Sequence, residues 1–168
     1  MMPAATSNAQ ARPLQSGTQA RYVFVYGTLR RDEDNDITRL LPTPRFIGTA
    51  AICGRMYHLG PYPGVVLAPG GIELACAGNE SRVVGEVYAI DEELERQLDE
   101  IEEVYPKAHG GIDGTYFKRE IEVLVGLHRL VCIVYEINPN CILGHVEIAS
   151  GDWVLGRCPP ARNGANDL

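Results

Sequence analysis

The stretches FIGTAAICGRMYHL (46–59) and RVVGEVYAI (82–90) read as strands from their β-branched and aromatic content. Each carries glycine inside it: Gly48 and Gly54 in the first, Gly85 in the second. A glycine within a strand marks a bulge or a sharp bend, so these strands predict a sheet that curls instead of lying flat. The other strand signals are RYVFV at 21–25, VVL at 65–67 between two Pro-Gly turns, and the pair YFKREIEVLV and HRLVCIVYEI. The last two are separated by Gly126-Leu127, the spacing of a tight hairpin.

DEELERQLDEIEEVY (91–105) has the period of a helix, with Leu94, Leu98, Ile101 and Tyr105 along its buried side. Asp91 suits the N-cap, Glu92 and Glu93 suit the positive end of the helix dipole, and Pro106 stops the run. Asp34, Asn35 and Asp36 ahead of Ile37, Leu40 and Leu41 predict a short helix closed by Pro42. The expected architecture is α/β (mixed α+β): a small barrel-like curled sheet of about six strands, with one main helix and short helices.

At 168 residues the chain fits one domain. Residues 1–20, rich in Ala, Ser, Gln and Pro and without the apolar core of a secretory signal, read as a flexible tail. The domain is expected over 21–157, with a second flexible tail over 158–168. IELACAGNES reads as a loop excursion, and KAHGGIDGT as another.

A formal charge of -7 argues against nucleic acid, which needs a basic face. The local enrichment of Arg30, Arg31, Arg39 and Arg45 suits either the counter-charge of a small anionic ligand or a solvated face. No apolar run approaches the ~18 residues of a membrane span. The five cysteines, at 53, 76, 132, 141 and 158, are odd in number and show no paired short spacing. They predict a reduced, cytoplasmic setting, with Cys53 and Cys132 as small core residues. The four histidines stand apart in sequence, so no metal site is expected.

Glu102 is the informative residue. It lies one turn after Leu98, itself one turn after Leu94, and so continues the buried stripe. Asp99, Glu100 and Glu103 fall away from that line and read as a solvated acidic face. A carboxylate turned inward loses hydration, its pKa rises, and it becomes a base usable near neutral pH. Helix geometry alone leaves a second reading equally open, a boundary residue paired with Arg119 or Arg30. Facing it, the turn after the first strand offers the N–H groups of Gly27, Thr28 and Leu29, where glycine lets the backbone approach an anion or a polarised carbonyl.

VFVYGTLRR, GPYPGVV, GEVYAI, LDEIEE and SGDW, in this order and spacing from Tyr22 to Trp153, resemble the gamma-glutamylcyclotransferase-like family, including small bacterial members and the plant avirulence-induced proteins. The resemblance implies a small barrel-like α/β fold and a substrate-binding loop made here of Tyr26, Gly27, Thr28, Leu29, Arg30 and Arg31. It assigns Glu102 as the catalytic acid, although Glu103 stands where many relatives have glycine. The YPG turn at 62–64, with Pro63 and Gly64, is expected at the pocket border, and Tyr116 and Tyr135 within reach from the last two strands. The implied reaction is attack of a γ-glutamyl α-amine on its own side-chain carbonyl, releasing 5-oxoproline and an amine or amino acid, without metal or organic cofactor. The expected partner is that small molecule, bound by a monomer or weak homodimer. A binding module that keeps the pocket without turnover is the alternative.

Overall fold

Strand β1 (Arg21–Val25) lies in the interior of the sheet, and its alternation builds both cores. In the computed structural model, which describes residues 20–69, 81–102 and 115–156, Phe24 and Tyr26 belong to one apolar cluster and Val23 and Val25 to another. Successive side chains of a strand point to opposite faces, so one short run serves both.

Around it stand β2 (Arg45–His58), β3 (Pro63–Leu67), β4 (Arg82–Ile90), β5 (Tyr116–Val125) and β6 (His128–Ile137), in the order β3-β2-β4-β1-β6-β5. A two-residue strand, β7 (Val146–Glu147), pairs with β2. All pairings are antiparallel except β1 with β6, where Tyr22 lies opposite Cys132 and Val23 opposite Ile133.

The predicted curl is present, and glycine permits it. The β2–β4 register shifts between Phe46 and Gly48, and a Cβ on Gly48 would stand 2.7 Å from Val125 Cγ1 on β5. β2 and β5 lie toward opposite ends of the strand order, so their contact means that the sheet has wrapped round into a half-barrel. The β5–β6 hairpin turns at Gly126, with φ +60°, and Leu127, as the spacing predicts.

Helix α1 (Glu92–Ile101) places Leu94 and Leu98 in the second cluster with Tyr88, Ile133 and Ile137. Asp91 caps it by accepting the Leu94 N–H at 2.9 Å. The helix ends earlier than its pattern suggests: Glu102 is its C-cap, and Ile101, expected on the buried side, is 40% exposed. The predicted short helix is a single 3-10 turn, Ile37–Arg39, capped by Asp36. Helix α2 (Trp153–Gly156) buries Trp153. None of the helices among the described residues is long and apolar enough to cross a membrane.

The cysteine reading needs correction. Cys132 is buried with a free thiol, as expected, whereas Cys53 is half-buried and disulfide-bonded. Number and spacing of cysteines in sequence do not decide bridging, which depends on which Cβ atoms the fold brings within reach. Residues 1–19 of the first expected tail, all of the second, the IELACAGNE part of the first loop, Glu103, Tyr105, Pro106 and residues 107–114 lie outside the described residues.

Candidate active site

β1 ends at Val25, and the chain turns through Tyr26 to Leu29 along the wall of a cavity of about 190 Å³. That is far more than one water needs and below the roughly 300–1,000 Å³ of drug-sized sites, so it suits a small guest. Four further elements complete the wall: Tyr62 and Pro63 at the start of β3, Ile101 and Glu102 at the end of α1, Thr115 and Tyr116 at the start of β5, and Tyr135 of β6. Asn35 joins them from the loop after β1, its amide donating to Thr28 Oγ1 at 3.1 Å.

Of the residues expected at a site, Tyr26, Gly27, Thr28, Leu29, Pro63, Glu102, Tyr116 and Tyr135 are brought to this one cavity. Arg30, Arg31 and Gly64 are not. Gly64 packs against Ile137 and Leu59. Arg30 pairs with Glu86 and Asp152, and the Arg31 guanidinium lies 5.4 Å over the Phe46 ring. Tyr62, expected at the border with the YPG turn, lines the cavity too, whereas Asn35, Ile101 and Thr115 are not singled out for a site by the sequence, where nothing marks them as neighbours.

Glu102 is half-buried and makes no ion pair or side-chain hydrogen bond among the described residues. Both arginines proposed as partners are engaged elsewhere, Arg119 with Glu136 at 3.1 Å and Arg30 as above. Burial alone pushes the Glu102 carboxyl from 4.5 up to about 7. Asp99 departs from the expected solvated face. It is half-buried, and its carboxylate accepts from the Tyr135 hydroxyl at 2.7 Å and from Lys118 Nζ at 3.0 Å. Glu100 is exposed, as expected.

Three tyrosine hydroxyls line the cavity with their protons already committed. Tyr26 donates to the Tyr135 carbonyl at 2.5 Å, Tyr116 to the Pro63 carbonyl at 2.9 Å, and Tyr135 to Asp99. Burial holds all three well above the ordinary phenol range, helped for Tyr135 by the Asp99 carboxylate that accepts its proton, so they are neutral. A hydroxyl that has given its proton away has only lone pairs left for a guest.

The loop opposite has the reverse polarity. The N–H groups of Arg30, Arg31, Asp32, Glu33, Asn35, Asp36 and Ile37 are all bonded, while those of Gly27, Thr28 and Leu29 have no acceptor among the described residues. Gly27 is required for its position: a Cβ there would stand 2.7 and 2.9 Å from the Pro63 ring. One wall thus offers main-chain donors and the other offers acceptors and a half-buried carboxyl, an arrangement suited to a small zwitterion and to proton transfer.

Comparison with known proteins places this geometry. The model of the family "Gamma-glutamyl cyclotransferase, AIG2-like" matches residues 23–155. A Bos taurus gamma-glutamylaminecyclotransferase is 44% identical over 82 residues, which are 48% of this chain and 47% of that protein. The match therefore spans about half the length of this relative, and likewise of its Homo sapiens counterpart. A Vibrio cholerae serotype O1 protein is 33% identical over 134 residues, 78% of this chain and 93% of its own. The crystal structure of an AIG2-like protein from Mus musculus superposes with a TM-score of 0.53 at 23% identity, covering 73% of this chain and 82% of the other, which is a likeness of fold. With the family model matched from β1 to α2 on the same curled sheet, the chain belongs to the AIG2-like gamma-glutamyl cyclotransferase family.

Proposed function

We propose that this protein converts a γ-glutamyl compound into 5-oxoproline and a free amine or amino acid, with Glu102 as general acid and base. The observation that carries the reading is the half-buried Glu102 carboxyl, raised to about 7 and without a counter-charge among the described residues, on the same small cavity as three free main-chain donors. The Gly27, Thr28 and Leu29 amides would take the substrate's α-carboxylate or the oxygen of its γ-carbonyl. The tyrosine oxygens would receive the α-ammonium.

A base raised to about 7 stands closer to an α-ammonium than an ordinary carboxylate at about 4.3 does, so the proton transfer costs less. Glu102 would take a proton from the α-ammonium. The freed nitrogen attacks the γ-carbonyl and closes a five-membered ring. As the old C–N bond breaks, Glu102 gives its proton to the departing nitrogen and then takes the second proton from the ring nitrogen. That proton passes on to the released amine, which leaves as the ammonium. Intramolecular attack needs orientation above all, which a small rigid cavity provides. Family membership and the names of the relatives support the reaction class.

Among the described residues no Lys, Arg or His lines the cavity. That favours an amine as leaving group over an amino acid, whose carboxylate would lack a counter-charge. The test is a panel of γ-glutamyl amines and γ-glutamyl amino acids with 5-oxoproline detected by mass. Release from the amines supports the reading, release from amino acids alone overturns the leaving-group assignment, and no product from any of them favours a binding module.

A further inference from the structure

Arg30 and Arg31, from the end of YGTLRR, meet GEVYAI and SGDW behind the loop and not in the cavity. Arg30 lies with only 12% of its side chain exposed between two carboxylates, Nη1 2.8 Å from Asp152 Oδ1 and Nε 3.4 Å from Glu86 Oε1. The other Glu86 oxygen accepts the main-chain N–H of Arg31 at 3.1 Å and the Tyr88 hydroxyl at 2.9 Å. Asp152 Oδ1 also accepts the Val154 N–H at 3.0 Å, which ties the network to α2. Glu86 sits in mid-strand on β4 and is buried, where a carboxylate is costly unless fully partnered. Apart from Tyr88, its partners all belong to the loop.

We propose that Glu86 is the positioning residue of the substrate-binding loop: by holding Arg30 and the Arg31 amide from behind, it sets the direction in which the N–H groups of Gly27, Thr28 and Leu29 point. The inference rests on the reading above that these amides hold the substrate. Both carboxylate oxygens are in use, one for a guanidinium and one for two neutral donors, and glutamine has only one acceptor oxygen. In Glu86→Gln the new NH2 faces donors on whichever side it takes, so either Arg30 or the Arg31 amide is released. Arg30→Lys keeps a charge near both carboxylates but loses the fork that reaches two of them.

The experiment is steady-state kinetics on the full chain with a turned-over γ-glutamyl compound, alongside amide exchange followed by NMR at residues 27–31. For folded Glu86→Gln the expected result is KM raised about tenfold, kcat within about threefold, and an unmoved acid limb of kcat/KM, because Glu102 is untouched. The Arg30 and Arg31 amides, bonded to Gly27 O and to Glu86, are expected to exchange faster. General loosening would instead reduce kcat through the active fraction and leave KM alone. Unchanged KM and unchanged exchange in folded Glu86→Gln overturn the proposal. Should that variant not fold, the same readouts on Arg30→Lys and Asp152→Asn decide, with wild-type values again refuting it. If the wild type releases no 5-oxoproline, the proposed function has failed, and exchange at Arg30 and Arg31 still decides whether Glu86 sets the loop.

Discussion

Replacing Glu102 by glutamine separates the cost of the proposed base from its use. The carboxyl rises from 4.5 to about 7 on folding because burial disfavours its charged form. Between those two values the folded state holds more proton than the unfolded chain, so stability falls as pH rises through that window and is level beyond it. A shift of this size corresponds to roughly 3 kcal/mol as a ceiling, and about 2 after allowing for the solvent contact that Glu102 retains. Glutamine has the shape of the protonated acid and no charge to desolvate. Glu102→Gln is therefore expected to match wild type in denaturant unfolding at pH 4.5 and to exceed it by about 2 kcal/mol at pH 8. At the same time, 5-oxoproline release is expected to fall by about 10²–10⁴-fold, the usual contribution of general acid and base groups. A variant equally stable at both pH values relative to wild type would mean that the carboxyl is not desolvated. A variant that retains full turnover would remove it from the chemistry.

Further outcomes follow from the same geometry. In wild type, kcat/KM is expected to rise with pH up to about 7 and then level, since the free enzyme needs Glu102 ionised to accept a proton; a pH-rate profile with its acid limb near 4.5 contradicts this. Gly27→Ala drives a Cβ into the Pro63 ring at 2.7 Å and is expected to cost about 1–3 kcal/mol of stability while weakening 5-oxoproline binding, both measurable by thermal unfolding with and without product. Leu98→Ala, at a fully buried position beneath the end of α1, is expected to lower stability by about 2–5 kcal/mol with an unchanged urea m-value.

Glu102 was legible because helical geometry is local: Leu94, Leu98 and Glu102 are four residues apart, and that spacing puts them in line whatever the rest of the chain does. The same rule misjudged Ile101, because the helix ends there, and Asp99, because Lys118 and Tyr135 reach it from strands that follow the helix. Arg30 and Arg31 look like ligand contacts beside YGTL, yet the partners that draw Arg30 away from the cavity, Glu86 and Asp152, stand 56 and 122 residues further along. Asn35 and Thr115 carry no signal, since they become neighbours of Glu102 only through folding.

By itself the sequence determined what depends on neighbouring residues: the strands, the hairpin at Gly126, the cap and buried stripe of α1, and the glycines that let a sheet bend. The tertiary structure alone decided which polar groups face the cavity and which are spent elsewhere. The physical reason is that a hydrogen bond or ion pair satisfies a group only where closure of the sheet delivers its partner. Among the described residues the amides of 27–29 have no acceptor, and the Tyr26, Tyr116 and Tyr135 hydroxyls become acceptors through contacts that join β1, β3, β5, β6 and α1 across the curl.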